Sequence, residues 1–547
     1  MPVISFMYED FCKLLGSEIS LDDLTSRLPM IGADLDKVEG SEISIEFFPN
    51  RPDLISVEGV ARAARAFFGF ELGLKSYAMK PSGMQLIVDD SVKEVRPFIQ
   101  MAVVRDVQMS DELVKSLMGL QEKLHIGLGR NRKKLAIGVH NIEPVKSPFV
   151  YKAVDPDAVG FVPLAKDEYM TMSQILTDHE KGIDYAHLLE DMTKHPLIVD
   201  ANENVVSYPP IINGSLTEVT PYTSDFLIDV TGIDEEAVRT ALCIVATALA
   251  ERGGLLYSVE VVSGDVKMQT PDLSSSFWRL ETAKVNSLLG TSFSDEEVTE
   301  CLGKMGHDVK ASGRGVLEVC VAAWRNDILH EVDLIEDVAV GFGYDCFKPT
   351  LPSVATFGSK LSSAPLVGVL RQTLIGLGAN EVTTMAISNP QNEFIRLGLE
   401  KDAMVSFENP LGEEYSGLRV SMIPSLLRIL MQNRHHPLPQ MIFEVGVVVD
   451  GKSAENKLRL AALRSDAKAS FTLCKQYVEA VLRELEVKHS FVEGSHPAFI
   501  EGRCARVLIN EGRDELAVFG EIHPKTIEEF DLEHPLIGFE LDVEVLL

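Results

Sequence analysis

The sequence predicts an α+β chain of several domains in which one small α/β module is used twice, and three observations carry that reading. The chain has 547 residues, and at roughly 150 residues per domain this fills three or four cores. Hydrophobic residues make up 46% and charged residues 24%, the balance of ordinary globular domains. A segment near the start recurs near the middle at a fixed offset.

That repeat fixes the order of the first and third domains. Residues from about 11 to 70 align without a gap on those from about 285 to 344. Leu14-Leu15-Gly16 matches Leu288-Leu289-Gly290, Gly32 matches Gly306, Arg51 and Asp53 match Arg325 and Asp327, and Gly69-Phe70 matches Gly343-Tyr344. Every pair is 274 positions apart. Met30 and Met305 fall one place out of register. The period is far longer than the ~20–50 residues of a solenoid. In each copy a helix closes on the Leu-Leu-Gly, where glycine suits a C-cap. A second helix has an acidic first turn, Leu21-Asp22-Asp23 or Ser294-Asp295-Glu296. A strand follows (ISIEFF or LEVCVAA), and an Arg-x-Asp turn opens a third helix. In the second copy Ile328, Val332, Ile335, Ala339 and Phe342 form an apolar stripe at helical spacing.

The copies differ on the polar face of that third helix. The second carries Asp327, Asp333, Glu336 and Asp337, where the first has Asp53, Gly59, Arg62 and Ala63, so the fold does not require the acids. Asp333 precedes Glu336 and Asp337 by three and four residues, a spacing at which like charges destabilise a helix by ~0.2–0.5 kcal/mol per pair. A bound cation would reverse that sign, and an all-oxygen set suits magnesium or calcium better than zinc. A solvated acidic face is the alternative.

Between the copies, residues 88–262 read as mixed α/β. The apolar run Ala241 to Ala250, bounded by Arg239 and Glu251, is too short to span a membrane and reads as a buried helix. In LHIGLGRNRKKLAIGVHN, Arg130, Arg132, Lys133 and Lys134 form a basic cluster that is either a hairpin turn or a phosphate contact. The G-x-G there completes no nucleotide motif. In VVSYPPIINGSLTEVTPYTSDFLIDVTG, Pro209-Pro210 forces an extended entry and Asn213-Gly214 signals a turn. Asp229 and Thr231 flank one residue of an apolar strand and so share a face, as pocket lining or as plain turn and cap residues.

From about residue 361 onward a second mixed α/β unit is expected. It opens with a helix, LVGVLRQTLIGLG, and continues with the strand-like EVTTMAISNP. The segments IFEVGVVV, FGEIHP and LIGFELDVEVL then suggest antiparallel strands with a glutamate on one face.

The formal charge of −31 repels nucleic acid at long range, so RNA contact needs a local basic patch or a partner's surface. Seven cysteines without a C-x-x-C pair are neither a disulfide framework nor a zinc ribbon and fit a reducing, cytoplasmic setting. The N-terminal MPVISFMYEDFCK has acids where a secretory leader has bases, and no membrane partner is expected. No Ser-His-Asp order and no H-E-x-x-H is present.

In combination, SIEFFPNRPDLISVEGVARA, YPPIING, RNDILHEVDLIEDVAVGFGYD, NPLGEEYSGLR, FEVG and GEIHP resemble the β subunits of archaeal and eukaryotic phenylalanyl-tRNA synthetases over nearly the whole chain. The resemblance implies an N-terminal module over 1–85, a B3/B4 editing domain over 88–265 and a B5 domain over 269–347. A C-terminal module over 355–547 would resemble a class II synthetase core. It implies an α subunit as partner in an α2β2 assembly that joins phenylalanine to tRNA(Phe) using ATP. It places a magnesium site, shared with α, on Asp327, Asp333, Glu336 and Asp337. It also implies hydrolysis of mischarged tyrosyl-tRNA(Phe), with Leu197, Ser207, Asn213, Asp229, Thr231 and His140 as pocket candidates and Arg130, Arg132, Lys133 and Lys134 as tRNA contacts. The C-terminal module departs from an active class II core. IFEVG and GEIHPKTIEEF lack the motif arginines, and Arg419 and Arg428 lie outside those motifs. Without that guanidinium clamp a transferring phosphate is poorly stabilised, so the module is expected to be a scaffold. The competing functional readings are an acidic RNA-binding scaffold with no chemistry, and a magnesium phosphohydrolase, which lacks a basic clamp near the acids.

Overall fold

The computed structural model of the chain describes residues 2–352, 354 and 356–547. The expected boundary residues 1 and 355 lie outside that set. The chain divides into two compact units, Met1–Leu351 and Pro352–Leu547.

The first unit opens with strand β1 (Val3–Met7), helices α1 (Tyr8–Leu15) and α2 (Leu21–Arg27), strands β2 (Ala33–Glu39) and β3 (Glu42–Phe47), and helix α3 (Val57–Phe67). Further along come the elements of the ten-stranded sheet: β4 (Met79–Val88), β5 (Phe98–Arg105), α4 (Asp111–Ile126), β6 (Leu135–Asn141) and β7 (Phe149–Val154). A small excursion follows, β8 (Gly160–Phe161), β9 (Met170–Thr171), α5 (Met172–Asp178) and α6 (Glu180–Tyr185). The chain then returns with β10 (His195–Val199), β11 (Val205–Tyr208), β12 (Ile212–Asn213), β13 (Phe226–Gly232), α7 (Glu235–Glu251), β14 (Leu255–Ser263) and β15 (Val266–Thr270). The unit ends with β16 (Ser276–Glu281), α8 (Thr282–Leu289), α9 (Asp295–Lys304), β17 (Asp308–Gly313), β18 (Val316–Val321) and α10 (Glu331–Phe342).

The two copies of the repeat fold alike. One has a three-stranded sheet in the order β1-β3-β2, the other in the order β16-β18-β17. Their first helices stop at Gly16 and Gly290, at φ 72° and 68°, a region that penalises a side chain. Their second helices are capped by Ser20 and Ser294, whose hydroxyls accept from Asp23 N and Glu297 N. In both, the Arg-x-Asp is a bidentate pair at 2.8 Å per bond, Arg51 with Asp53 and Arg325 with Asp327. The copies also meet: Arg51 Nε lies 3.9 Å from Asp327, and the Arg62 guanidinium sits 4.2 Å over the Trp324 ring.

The third helix of the second copy begins at Glu331, leaving Ile328 in the preceding loop. Ile328, Ile335, Ala339 and Phe342 of the expected stripe are buried or packed on the core with Leu334 and Val338, while Val332 is 43% exposed. Asp337 also turns inward, where Arg325 and His307 compensate its charge.

In the ten-stranded sheet the order is β12-β11-β10-β7-β4-β14-β5-β13-β6, with β15 beside β14. Strand β4 enters at Met79, ahead of the expected start at 88, because it pairs in parallel with both β14 and β7. Helix α7, the buried run foreseen from residue 241, is capped by Asp234 and packs Leu242, Val245 and Leu249 against this sheet at 0% exposure. Each such side chain contributes about 1.5–3 kcal/mol.

The second unit is a seven-stranded sheet whose inner strand 456–465 sends Leu460 and Ala462 into one core and Ala461 and Leu463 into another, the period-two alternation of a sheet covered on both faces. Helices 364–376 and 471–484 cover the first core and helix 423–432 the second. The segment EVTTMAISNP forms only two short strands, 380–381 and 387–388. Glu540 accepts from Met422 N and Ile423 N at the start of helix 423–432, where a negative charge is favoured. Glu393 beside it accepts from Val420 N and Ser421 N with one oxygen, and its other oxygen has no partner.

Burial pushes the Glu393 carboxyl up to about 7, against the pull of Ser388 and the two peptide N–H groups. The folded chain then holds a proton that the unfolded chain releases near the ordinary value of 4.5. Stability therefore falls as pH rises from 4.5 to about 7, by on the order of 3 kcal/mol at about 1.4 kcal/mol per unit. Glu393→Gln, which imitates the protonated form, should flatten that loss when urea midpoints are compared between pH 5 and 8. Equal pH dependence in variant and parent would show that Glu393 is not the group responsible.

Candidate functional site

The ten-stranded sheet bends far enough to bring its two edge strands, β6 and β12, beside each other without a hydrogen-bonded ladder between them. Ile137 faces Val230 across the β13–β6 ladder, and its peptide groups point away from β13 to the open edge of β6. Helix α4 satisfies them with side chains: Ile137 N donates to His125 Nε2 at 2.8 Å, and Gln121 Nε2 donates to Ile137 O at 2.7 Å. On the other side of the seam Asn213 Nδ2 reaches Val139 O at 3.4 Å. A cavity of about 620 Å³ opens between these elements, within the usual range of small-molecule sites.

Asp229 is the centre of its polar wall. Its carboxylate is buried, with Oδ2 2.7 Å from His140 Nε2, and His140 Nδ1 lies 2.8 Å from Thr217 Oγ1. Both imidazole nitrogens are occupied, so His140 orients Asp229 from behind. Asp229 pairs with Gly138 across the ladder, and a Cβ on Gly138 would run into the Asp229 carboxylate and the His140 ring. Ser207 donates to Asn213 Oδ1 at 3.1 Å, and both line the cavity.

Of the six pocket candidates, then, Ser207, Asn213 and Asp229 meet in one wall, and His140 stands one layer behind. Leu197 is wholly buried in the core beneath β10 and β11. Thr231 shares the Asp229 face of β13, but it lies beyond the cavity, where its hydroxyl accepts from Arg96 Nε at 3.0 Å. The cavity adds residues that the sequence reading does not name, Gln121, Glu122 and His125. Their one signal is a polar break at helical spacing in the apolar face that includes Leu113, Leu117 and Leu124.

His125 is 2% exposed. Because its Nε2 accepts a peptide proton, its own proton sits on Nδ1, which has no hydrogen-bond partner. Glu122 is 3.6 Å away, beyond hydrogen-bonding reach. Burial lowers the imidazole pKa, against the opposing pull of Glu122, so the ring is held neutral with Nδ1 enclosed by protein.

The basic cluster is a helix-to-strand turn between α4 and β6. Arg130, Asn131 and Arg132 all have positive φ, 48°, 54° and 66°. For L-residues this costs on the order of 1–2 kcal/mol each. Arg130 and Lys133 are exposed, whereas Lys134 pairs with Asp234 at 3.1 Å. Arg132 turns into the cavity wall, stacks 4.3 Å over the Tyr185 ring, and donates across the seam to Pro210 O and Ile211 O at 3.2 and 3.0 Å. Its buried Nε has no partner.

The four acids of the second copy do not converge. Asp327 spends both oxygens on Arg325, and Asp337 Oδ2 takes Arg325 at 2.8 Å and His307 at 2.6 Å. Burial alone would raise the Asp337 carboxyl, but Arg325 and His307 hold it well below the usual range. Asp333 Oδ2 caps α10 by accepting from Leu329 N and His330 N. Glu336 is exposed. Among the described residues no three His, Cys, Asp or Glu side chains gather to hold a metal ion. Only Asp333 and Glu336 face outward with oxygen to spare, which fits an open, incomplete site and not a closed one. In the second unit Arg419 is consumed internally, donating to Glu444, Thr384 and Val447 O.

Residues 278–344 match the tRNA synthetase B5 domain, and residues 347–543 match the phenylalanyl tRNA synthetase beta chain CLM domain. Relatives named phenylalanine–tRNA ligase beta subunit include one from Methanothrix thermoacetophila, 44% identical over all of both chains. Another, from Archaeoglobus fulgidus, is 44% identical over 99% of this chain and 98% of its own. The crystal structure of an N-terminal fragment of the phenylalanyl-tRNA synthetase beta subunit from Pyrococcus horikoshii superposes with a TM-score of 0.60 at 36% identity, covering 62% of this chain and 99% of that one.

The close approach at Gly138 gives a test of the wall. Gly138→Ala should push Asp229 and His140 out of place and destabilise the chain by about 1–3 kcal/mol, as overpacking does. Urea unfolding measures it, and a loss below about 0.5 kcal/mol, the range of inert surface changes, would mean that the carboxylate can move aside freely.

Proposed function

The chain belongs to the family of phenylalanine–tRNA ligase β subunits, and on that premise we propose two linked roles. With a separate α subunit, as an α2β2 assembly in the cytoplasm, it supports ATP-dependent attachment of phenylalanine to tRNA(Phe). Its seam cavity hydrolyses mischarged tyrosyl-tRNA(Phe). In this reading the ten-stranded sheet is the B3/B4 editing domain, flanked by the N-terminal module and B5, and the second unit is a class II-like scaffold. All seven cysteines are free, which suits a reducing compartment. Aminoacylation chemistry belongs to α, since Arg419 is locked against Glu444 and is not free to clamp a phosphate.

The observation that carries the editing role is the buried Asp229 aimed into a cavity of ligand size. His140 occupies Oδ2 and leaves Oδ1 to accept a phenol O–H. A tyrosyl group satisfies that carboxylate, whereas a phenylalanyl group would strip its water and leave it unpaired. A pocket that merely tolerates an added hydroxyl discriminates ~100-fold, but one built to hydrogen-bond the hydroxyl rejects the analogue lacking it far more strongly. Water attacks the ester carbonyl, the bond to the ribose oxygen breaks, and tyrosine and free tRNA leave. The exposed Arg130 and Lys133 are available to tRNA phosphates.

Magnesium, where bound, would supply positive charge between carboxylates of two chains. Asp333 and Glu336 would hold it from this side, with Asp327 and Asp337 kept on Arg325. Mg²⁺ retains several waters and seldom sits in an all-protein cage, in keeping with an open site completed by α.

Asp229→Ala in the α–β complex should narrow the ratio of tyrosyl- to phenylalanyl-tRNA(Phe) deacylation by about 10–100-fold, the worth of ~1–3 kcal/mol for one buried polar pairing. Parallel single-turnover deacylation assays read the ratio, and an unchanged ratio would place phenol recognition elsewhere. Asp333→Asn combined with Glu336→Gln should weaken the magnesium dependence of assembly in sedimentation, while Arg62→Gln, at the Glu336 position of the first copy, should not. Assembly indifferent to magnesium in the parent would reject the site.

A further inference from the structure

Thr231 poses a problem for a pocket reading, because it is fully buried and does not line the cavity. Its partner explains it. Arg96 is 5% exposed and has no carboxylate within salt-bridge distance among the described residues. Its donors all go to uncharged oxygens: Nε to Thr231 Oγ1 at 3.0 Å, Nη2 to Thr231 O at 2.9 Å and to Arg132 O at 3.2 Å, and Nη1 to Lys133 O at 3.3 Å. A buried cation held only by neutral acceptors is a costly arrangement, and this one ties the end of β13 to the strained 130–134 turn. Three successive residues with positive φ persist only where the surroundings over-determine them. The turn in turn aims Arg132 across the seam to Pro210 and Ile211.

We propose that Arg96 is a positioning residue of the cavity, and that Thr231 acts through it. The hydroxyl and carbonyl of Thr231 fix the guanidinium plane, the guanidinium holds the carbonyls of Arg132 and Lys133, and the turn so held sets Arg132 as the strut that keeps the two sheet edges at their separation. Neither Arg96 nor Thr231 touches the substrate. The functional consequence rests on the cavity being the deacylation site proposed above, whereas the positioning itself does not.

The test uses the α–β complex with Arg96→Lys, Thr231→Val, Thr231→Ser and the Arg96→Lys/Thr231→Val double variant. A lysine keeps the charge but cannot span four acceptors in a plane. Arg96→Lys and Thr231→Val should each lower kcat for tyrosyl-tRNA(Phe) deacylation by about ten-fold with KM changed by less than about three-fold, as misplacement of a fixed group does. Thr231→Ser, which keeps the hydroxyl, should restore most of the rate. The double variant should lose no more than the worse single one, because members of one network are not additive. Amide exchange needs no substrate: Arg132 N, bonded to His125 O, and Lys134 N, bonded to Gly129 O, should exchange faster in Arg96→Lys and in Thr231→Val. Multiplying effects in the double variant, or unchanged exchange at those amides, would overturn the proposal. If Arg96→Lys does not fold, Thr231→Val against Thr231→Ser decides it alone. Absence of deacylation by the parent complex, with exchange still accelerated in the variants, would sink the deacylation reading and uphold the positioning role.

Discussion

The outer edge of β6 carries peptide groups that no strand meets. Residues 135–140 of β6 are buried, so each group must find a partner or go unpaired at a cost of about 1–3 kcal/mol. His125 and Gln121 meet Ile137, and Asn213 meets Val139. Side chains take more room than a neighbouring strand would, and that difference in width is the cavity. The same obligation fixes the tautomer of the ring: using His125 Nε2 as an acceptor forces its proton onto Nδ1.

The site combines rigid and strained parts. Asp229 and Gly138 belong to one continuous ladder and are held to ladder precision. Arg132 stands on a turn that is unfavourable in isolation and is held by partners on both sides of the seam. An arrangement of this kind couples distant segments of the chain, since residues 96, 132, 210 and 231 share one chain of hydrogen bonds.

Much of the layout was legible in the sequence. The duplicated module was visible because its glycines and serines sit where backbone geometry demands them, and a gap-free alignment exposes that demand twice. Helix α7 was visible because its apolar run is uninterrupted. Ser207, Asn213 and Asp229 could be singled out because turn and strand signals surround them. The other half of the wall could not, since α4 contributes through sheet curvature that no local pattern records. Thr231 was chosen for the face it shares with Asp229. Alternation does supply that face, but it does not say where along the strand the hollow ends. The four acids were read as one cluster because helical spacing ignores residues outside the helix. Arg325 and His307 reach Asp337 from elsewhere in the module, and one step along the helix is enough to bury that acid while leaving Glu336 in solvent.

The bidentate Arg-x-Asp pair has a consequence for how such a module can be reused. Each guanidinium finds a bidentate counter-ion two residues away in the same loop, so the loop's charge is partnered before any neighbour is consulted. A duplicate inserted elsewhere in a chain therefore arrives electrically self-contained, and its remaining positions are free to diverge. Three positions at which the copies part company show the outcome: Gly59 makes room for the Asp53 carbonyl, Arg62 bonds Thr247 and stacks on Trp324, and Asp337 gives Arg325 a further carboxylate where the first copy has Ala63.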